Sequence, residues 1–233
     1  MEKILSGIER FHRDEAPRLL PLLGRLVKDG QRPAAMLITC SDSRVIPDLV
    51  SSTDPGDLFI VRNVGNIVPP AQAQVFTNAA STGAAIEFAI EALGVRDVIV
   101  MGHGDCGACK AIRKGDATGL AHLDAWLDNG KPALHRYLVD RTHVGRVDEP
   151  EHDALSKLNV VIQLENLASY PSVQRRLLDG ELKLHGWWFD IEEAHVYAYD
   201  LGDRTFKPIE TVYGSRLEPG SASPEAATGA TKG

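Results

Sequence analysis

Residues 34–44, Ala34-Ala35-Met36-Leu37-Ile38-Thr39-Cys40-Ser41-Asp42-Ser43-Arg44, decide how this chain is read. The first six form an apolar run of the length of one buried strand, bounded by turn-forming residues. The next five set a thiol, a carboxylate and a guanidinium two residues apart. Charged groups packed this densely against the end of a hydrophobic strand add nothing to folding by themselves, so they mark a site. Downstream the arrangement recurs: Val98-Ile99-Val100-Met101 runs into Gly102-His103-Gly104-Asp105-Cys106-Gly107. Two strand ends thus supply one constellation.

The intervening sequence says how they meet. Residues 57–61 read as a second strand after the Asp54-Pro55-Gly56 turn, and residues 63–70, with Gly65, Pro69 and Pro70, as a loop. Alanine-rich residues 79–93 read as a packed crossover helix stopped by Gly94, followed by a third strand over 97–101. Strand, helix and strand in succession imply a parallel sheet with right-handed crossovers, whose ligands bind beyond the carboxyl ends of the strands. The fold class is therefore α/β: a central, mostly parallel sheet of order 2-1-3-4 with an added edge strand, flanked by helices. With strand one between strands two and three, Cys40 and His103 finish side by side.

Farther along, helical patterns cover 107–114, 121–140, 153–169 and 172–178, and β-type sequence returns over 182–191 and 195–199. At the other end, Ile4, Leu5, Ile8 and Phe11 recur at helical spacing, so an amphipathic N-terminal arm is expected, packed either on its own domain or on a partner. A second helix spans 19–27 between Pro17 and Gly30. Residues 1–214 form one domain in this reading, and 215–233, rich in Gly, Ser, Ala, Pro and Thr, form a disordered tail.

Composition limits the partners. With 25 basic against 32 acidic residues the formal net charge is −7, which disfavours nucleic acid or an anionic membrane as the main partner. No stretch approaches the roughly 18 apolar residues of a membrane span, and no apolar leader follows the charged start. The chain reads as cytoplasmic. Its three cysteines, Cys40, Cys106 and Cys109, all lie in or beside the two motifs, which suits metal or redox use better than a disulfide framework.

Zinc takes thiolates and imidazoles, and a catalytic site leaves one of four positions open. Cys40, His103 and Cys106 supply three such ligands. Asp42 could accept a hydrogen bond from the metal-bound nucleophile or become a fourth ligand; Arg44, able to hold its carboxylate in a bidentate pair, favours the first role. Cys106-Gly107-Ala108-Cys109 is also a C-x-x-C, as in redox dithiols or in a closed zinc site with Cys109 as fourth ligand. The redox reading leaves His103 and the Cys40 motif unexplained, and Cys109 reads as a spare thiol. The seven other histidines, His12, His122, His135, His143, His152, His185 and His195, show no spacing that converges on the motifs, though one near the mouth could carry protons. Arg62 can be a structural ion-pair partner.

These motifs, together with Arg62-Asn63-Val64-Gly65-Asn66, Thr82-Gly83-Ala84-Ala85-Ile86-Glu87-Phe88, Asn159-Val160-Val161-Ile162-Gln163-Leu164-Glu165-Asn166-Leu167 and Leu184-His185-Gly186-Trp187, resemble the β-class carbonic anhydrases over residues 11–212. The resemblance implies reversible hydration of carbon dioxide to bicarbonate by zinc-bound hydroxide. One Zn2+ per subunit would be held by Cys40, His103 and Cys106, with Asp42 and Arg44 as the catalytic dyad. It further implies that Gln31, Phe59, Val64 and Phe88 line the substrate pocket and that the Gly107 amide meets bicarbonate. Gln31 would act across a dimer interface, in dimers or tetramers whose N-terminal helix lies over the neighbour. Leu37 stands where members with a closed site and an inhibitory bicarbonate pocket carry tryptophan, which favours an open site. Phe88 replaces a tyrosine of plant-like members. Two other functions fit the same scaffold, a non-catalytic bicarbonate-binding protein and a carbonyl sulfide or carbon disulfide hydrolase, but a purely structural protein has no need of the Asp42–Arg44 dyad.

Overall fold

The computed structural model describes residues 1–74, 81–139, 144–145 and 148–214. The expected tail, the first two residues of the 79–93 helix, Asp140 and His143 lie outside them. The apolar runs become β1 (Ala35–Cys40), β2 (Leu58–Asn63) and β3 (Asp97–His103), followed by β4 (Lys183–Asp190), β5 (His195–Asp200) and β6 (Thr205–Pro208). They form one sheet in the order β2-β1-β3-β4-β5-β6. The first four strands are parallel, and β5 and β6 are antiparallel additions. The addition is thus two strands where the sequence suggested one. β6 has only four residues, ends at Pro208, and follows a turn closed by Gly202 N–H donating to Asp200 Oδ1 (2.8 Å), so its local pattern is too short to read.

Every residue of β1 is buried, as befits a strand covered on both faces. Met36 and Ile38 face a core shared with Val98, Val100, Ile86 and Val160, while Leu37 faces Val45, Ile99, Met101 and Phe189. Full burial of a side chain such as Ile38 contributes about 1.5–3 kcal/mol. The one hydroxyl in the strand is satisfied in place, since Thr39 Oγ1 donates to Met101 O on β3 at 2.9 Å.

Helices α1 (Glu2–Arg10) and α2 (Ala16–Asp29) form the N-terminal arm, joined by a π-helical turn at Phe11–Glu15. No residue of α1 or α2 is buried, and Ile4, Leu5, Ile8, Phe11, Leu20, Leu23 and Val27 present their apolar side chains to the outside. Within one chain the arm therefore leaves this stripe uncovered, although Leu26 of α2 lies against Gly56 of the domain. Short helices α3 (Pro47–Ser51) and α4 (Ala71–Gln74) flank β2, and α5 (Ser81–Glu87) continues through a π-helical turn (Phe88–Ala92) as the crossover to β3. After β3 come α6 (Gly107–Lys114), α7 (Ala121–Leu127), α8 (Lys131–Leu138), α9 (Glu151–Leu167) and α10 (Pro171–Leu178), and α11 (Ile209–Tyr213) closes the described chain. The continuous helix expected over 121–140 is broken at Asp128–Gly130, where Gly130 abuts Ile112 and Pro132 opens α8.

Helix α9 is the central support. Eleven of its residues, from Ala154 to Leu167, are buried against β3, β4 and the surrounding helices. It approaches so closely because Gly102 and Gly186 carry no side chain: a Cβ on Gly102 would lie 2.8 Å from Val160 Cγ2, and one on Gly186 3.1 Å from Val160 Cγ1. Its polar residues serve the 63–70 loop, whose residues 65–69 are buried despite their irregular backbone. Asn159 Nδ2 donates to Gly65 O (3.0 Å), Val68 N–H donates to Gln163 Oε1 (2.8 Å), and Asn166 Nδ2 donates to Val68 O (2.9 Å). Buried loop backbone requires such partners.

Candidate metal centre and active site

The parallel register brings the site together. Thr39 pairs with Met101 and Cys40 with Asn63, so the carboxyl ends of β1, β2 and β3 lie side by side. Past β3, Gly104 and Asp105 turn the chain, with Asp105 in the left-handed region at φ 56, and Cys106 becomes the N-cap of α6. Donor atoms of Cys40, His103 and Cys106 all fall within 4.8 Å of one another, and all three residues are buried. Among the described residues this is the group of three such side chains with that geometry.

The donor set fits a soft divalent ion such as zinc. His103 Nδ1 lies 2.7 Å from Gly104 O, a carbonyl that can only accept, so the ring proton sits on Nδ1 and Nε2 carries the lone pair. That Nε2 is buried without a hydrogen-bond partner, an arrangement that costs free energy unless a cation satisfies it. The histidine is held from behind as well: Ser156 Oγ donates to His103 O (2.8 Å) and Trp188 Nε1 donates to Ser156 Oγ (3.2 Å). Gly65 N–H donates to Cys40 Sγ at 3.3 Å, a contact that favours the thiolate. Without a cation these sulfurs keep their protons: hydrogen bonding with Cys106, then burial, pushes the Cys40 thiol up to about 12. Cys106 is raised too, chiefly by Cys109. A metal ion would replace those protons. Cys109 adjoins Cys106 but lies outside the three-residue group.

Beside this cluster stands the Asp42–Arg44 pair. Arg44 Nε donates to Asp42 Oδ1 (3.0 Å) and Nη2 to Oδ2 (2.8 Å), a bidentate fork strengthened by the Arg44 backbone N–H on Oδ1 (3.0 Å). These Arg44 contacts hold the Asp42 carboxyl well below the usual carboxylate range. Asp42 Oδ2 is 3.9 Å from His103 Nε2. Among the described residues Arg62 forms no ion pair; it donates to Cys40 O (3.1 Å) and Asp42 O (2.7 Å), and so shapes the loop that follows β1.

The remaining candidates are scattered. Gly107 is the first residue of α6, where a backbone N–H has no partner within the helix. Val64 follows β2, its side chain 42 % exposed and its carbonyl accepting from Trp126 Nε1 (2.7 Å). Phe59 and Phe88 pair with centroids 5.9 Å apart, but Phe59 lies opposite Met36, four residues back along β2 from Asn63. That separation is about 13 Å. Gln31 is exposed between α2 and β1. One chain therefore does not bring Gln31, Phe59 and Phe88 to the metal cluster. Of the other described histidines, His152 lies 3.8 Å from Asp105 Oδ1, His185 pairs with Asp97 and His195 with Glu210. Sequence reading missed Asp105, which accepts from Arg44 Nη1 (2.8 Å), and the Ser156–Trp188 support. A charged residue between two ligands was the only sign of the first.

A sequence profile described as Carbonic anhydrase matches residues 35–196. A carbonic anhydrase of Pseudomonas aeruginosa is 39 % identical over 207 residues, covering 88 % of this chain and 90 % of the relative. One of Helicobacter pylori is 34 % identical over 224 residues, covering 93 % and 98 %. Among solved structures, the β-carbonic anhydrase CcaA superposes with a TM-score of 0.80 at 35 % identity, covering 89 % of this chain and 91 % of that one. A tetrameric β-carbonic anhydrase of Sordaria macrospora superposes with a TM-score of 0.70 at 28 % identity, covering 84 % and 95 %. With its parallel strand ends converging on two cysteines and a histidine, the chain belongs to the β-class of the carbonic anhydrase family.

Proposed function

We propose that this protein hydrates carbon dioxide reversibly to bicarbonate and a proton, with zinc held by Cys40, His103 and Cys106. The observation that carries the reading is the partnerless, buried His103 Nε2, grouped with two sulfurs and 3.9 Å from an arginine-clamped carboxylate. Zinc, when bound, supplies the positive charge that acidifies water and so provides a nucleophile near neutral pH. Asp42, kept ionised by Arg44, offers Oδ2 as a hydrogen-bond acceptor that orients the attacking water towards the carbon of CO2. Arg44 supplies no proton; it fixes the acceptor's direction. The Gly107 N–H, at the start of α6, would meet the anionic product. Val64 closes one side of the approach.

Gln31, Phe59 and Phe88 contribute to substrate binding in this reading only between subunits, because their own cluster is too distant. The exposed apolar stripe of the arm, and the tetrameric assembly named for the Sordaria macrospora relative, support a dimer or tetramer in which the arm lies over the neighbour. Among the described residues no helix is long and apolar enough to cross a membrane. Residues 1–214 would act as one unit.

The test is stopped-flow CO2 hydration with zinc-loaded protein, alongside metal analysis. One zinc per chain and a rate that rises from mildly acidic to alkaline buffer are expected. No rate above buffer at any pH would refute the assignment, and full metal content without turnover would indicate a binding protein on the same scaffold.

A further inference from the structure

Asp42 and Arg44 sit two residues apart on one loop, so the pair could move as a unit. Arg62 holds the loop backbone through Cys40 O and Asp42 O, while the Arg44 guanidinium is tied to the rest of the molecule by Asp105, on the turn after β3. Arg44 Nη1 donates to Asp105 Oδ2 (2.8 Å) and Nη2 to Asp105 O (3.2 Å), which leaves the guanidinium pinned along both edges. Asp105 is itself immobilised: its backbone N–H donates to Asp153 Oδ1 (2.7 Å), Lys110 pairs with its other carboxylate oxygen, and His152 stands 3.8 Å away. Arg44 and Asp105 are 45 % and 47 % exposed, so the pair adds little to global stability. Its value lies in where it holds the guanidinium.

That position matters because Asp42 Oδ2 is already 3.9 Å from His103 Nε2, a buried nitrogen lacking a hydrogen-bond partner. The carboxylate lies outside the Cys40, His103 and Cys106 donor group, and turning it towards that group means giving up its fork with Arg44. We propose that Asp105 is a positioning residue: it anchors Arg44 to the β3–α6 turn, and so keeps the Asp42 carboxylate from turning onto the metal cluster. This rests on metal binding at that cluster, as proposed above. Without Asp105, Arg44 is free to swing into solvent on its flexible stem, and Asp42 is released to become a ligand that blocks the open position.

Asp105→Gly removes the carboxylate while accepting the left-handed backbone (φ 56). Each variant is loaded with cobalt(II) and titrated with thiocyanate, read from the visible spectrum. The wild type should bind the anion, and D105G should bind it at least tenfold more weakly. D105G carrying Asp42→Asn should regain wild-type affinity, because the intruding carboxylate is gone; damage elsewhere would not be rescued this way. In parallel, the Arg44 Nε–H resonance should be sharp in the wild type and broadened by exchange in D105G. Unchanged thiocyanate affinity in D105G, or a loss that D42N fails to rescue, overturns the proposal. Failure of the wild type to take up one cobalt per chain would instead refute the metal assignment, and the Arg44 resonance would still report on the anchor: an unbroadened signal in D105G sinks it independently.

Discussion

Replacing Gly102 by alanine sets two effects of opposite sign against each other. Gly102 precedes His103 in β3, and its φ is not in the left-handed region, so alanine is conformationally acceptable there. On unfolded-state entropy alone the change should stabilise by about 0.4–1 kcal/mol. The new methyl, however, would lie 2.8 Å from Val160 Cγ2, 3.3 Å from Ser156 Oγ and 3.4 Å from Ser156 O. Val160 is β-branched with a stiff side chain and sits on a helix packed against both β3 and β4, so neither it nor α9 can withdraw cheaply. Overpacking of this kind costs about 1–3 kcal/mol. The clash outweighs the entropy gain, for a net loss of about 1–2 kcal/mol, or about 2–8 °C in thermal midpoint for a chain of this size. Differential scanning calorimetry at fixed protein concentration measures it. In a Val160→Ala background the same substitution should become neutral or stabilising, giving a coupling of about 1–3 kcal/mol in the double-mutant cycle. A raised midpoint for Gly102→Ala in the wild-type background, or strict additivity with Val160→Ala, would show that α9 does not bear on β3 as described.

Asp42→Asn should keep zinc while lowering CO2 hydration about 10²-fold or more, since the amide presents a donor where an acceptor is needed; wild-type turnover in that variant removes Asp42 from the chemistry. Cys106→Ser should lose metal on dialysis, read by atomic absorption, and retained stoichiometric zinc would strike it from the ligand set. Asp42 lies below the ordinary carboxylate range, and Lys110 and then Arg44 hold Asp105 down to about 2. Both therefore bind fewer protons folded than unfolded, and their stabilisation is complete above about pH 4 and fades as pH falls towards the folded values. Urea unfolding between pH 6 and 3 should accordingly fall less steeply with acid in Asp105→Asn than in the wild type. An Ile8→Glu substitution, placing a charge in the exposed stripe of α1, should shift sedimentation towards smaller species; an unchanged sedimentation coefficient would mean that the arm is not an interface.

The sheet was readable because β1 and β3 are apolar throughout and end abruptly in chemistry, so the strand ends and the metal donors announce one another. Helix α5 was legible from its alanines, and α9 from Leu155, Leu158, Val161 and Ile162. The break between α7 and α8 was overlooked although Asn129-Gly130 and Pro132 signal it locally; what only the fold shows is that Gly130 sits against Ile112 of α6. Asp105 passed unnoticed for a different reason. Its partners Arg44 and Asp153 lie 61 and 48 residues away, and only folding makes them neighbours. Phe59 and Phe88 show the converse case: the resemblance implies a place in the pocket, while one chain keeps Phe59 four strand residues from Asn63, with Phe88 against it.

The side-chain amides of α9 have a consequence for redesign. Because Asn159, Gln163 and Asn166 occupy the polar groups of Gly65 and Val68, the 65–69 segment is interior material despite its irregular path. Insertions or library diversity there would strip buried polar groups of their partners and, through Gly65, disturb the sulfur of Cys40. Val64 is the opposite kind of position. Its carbonyl is tied to Trp126 while its side chain stands outside, so under the function proposed above a substitution there would alter the substrate's approach without touching the frame that holds the loop.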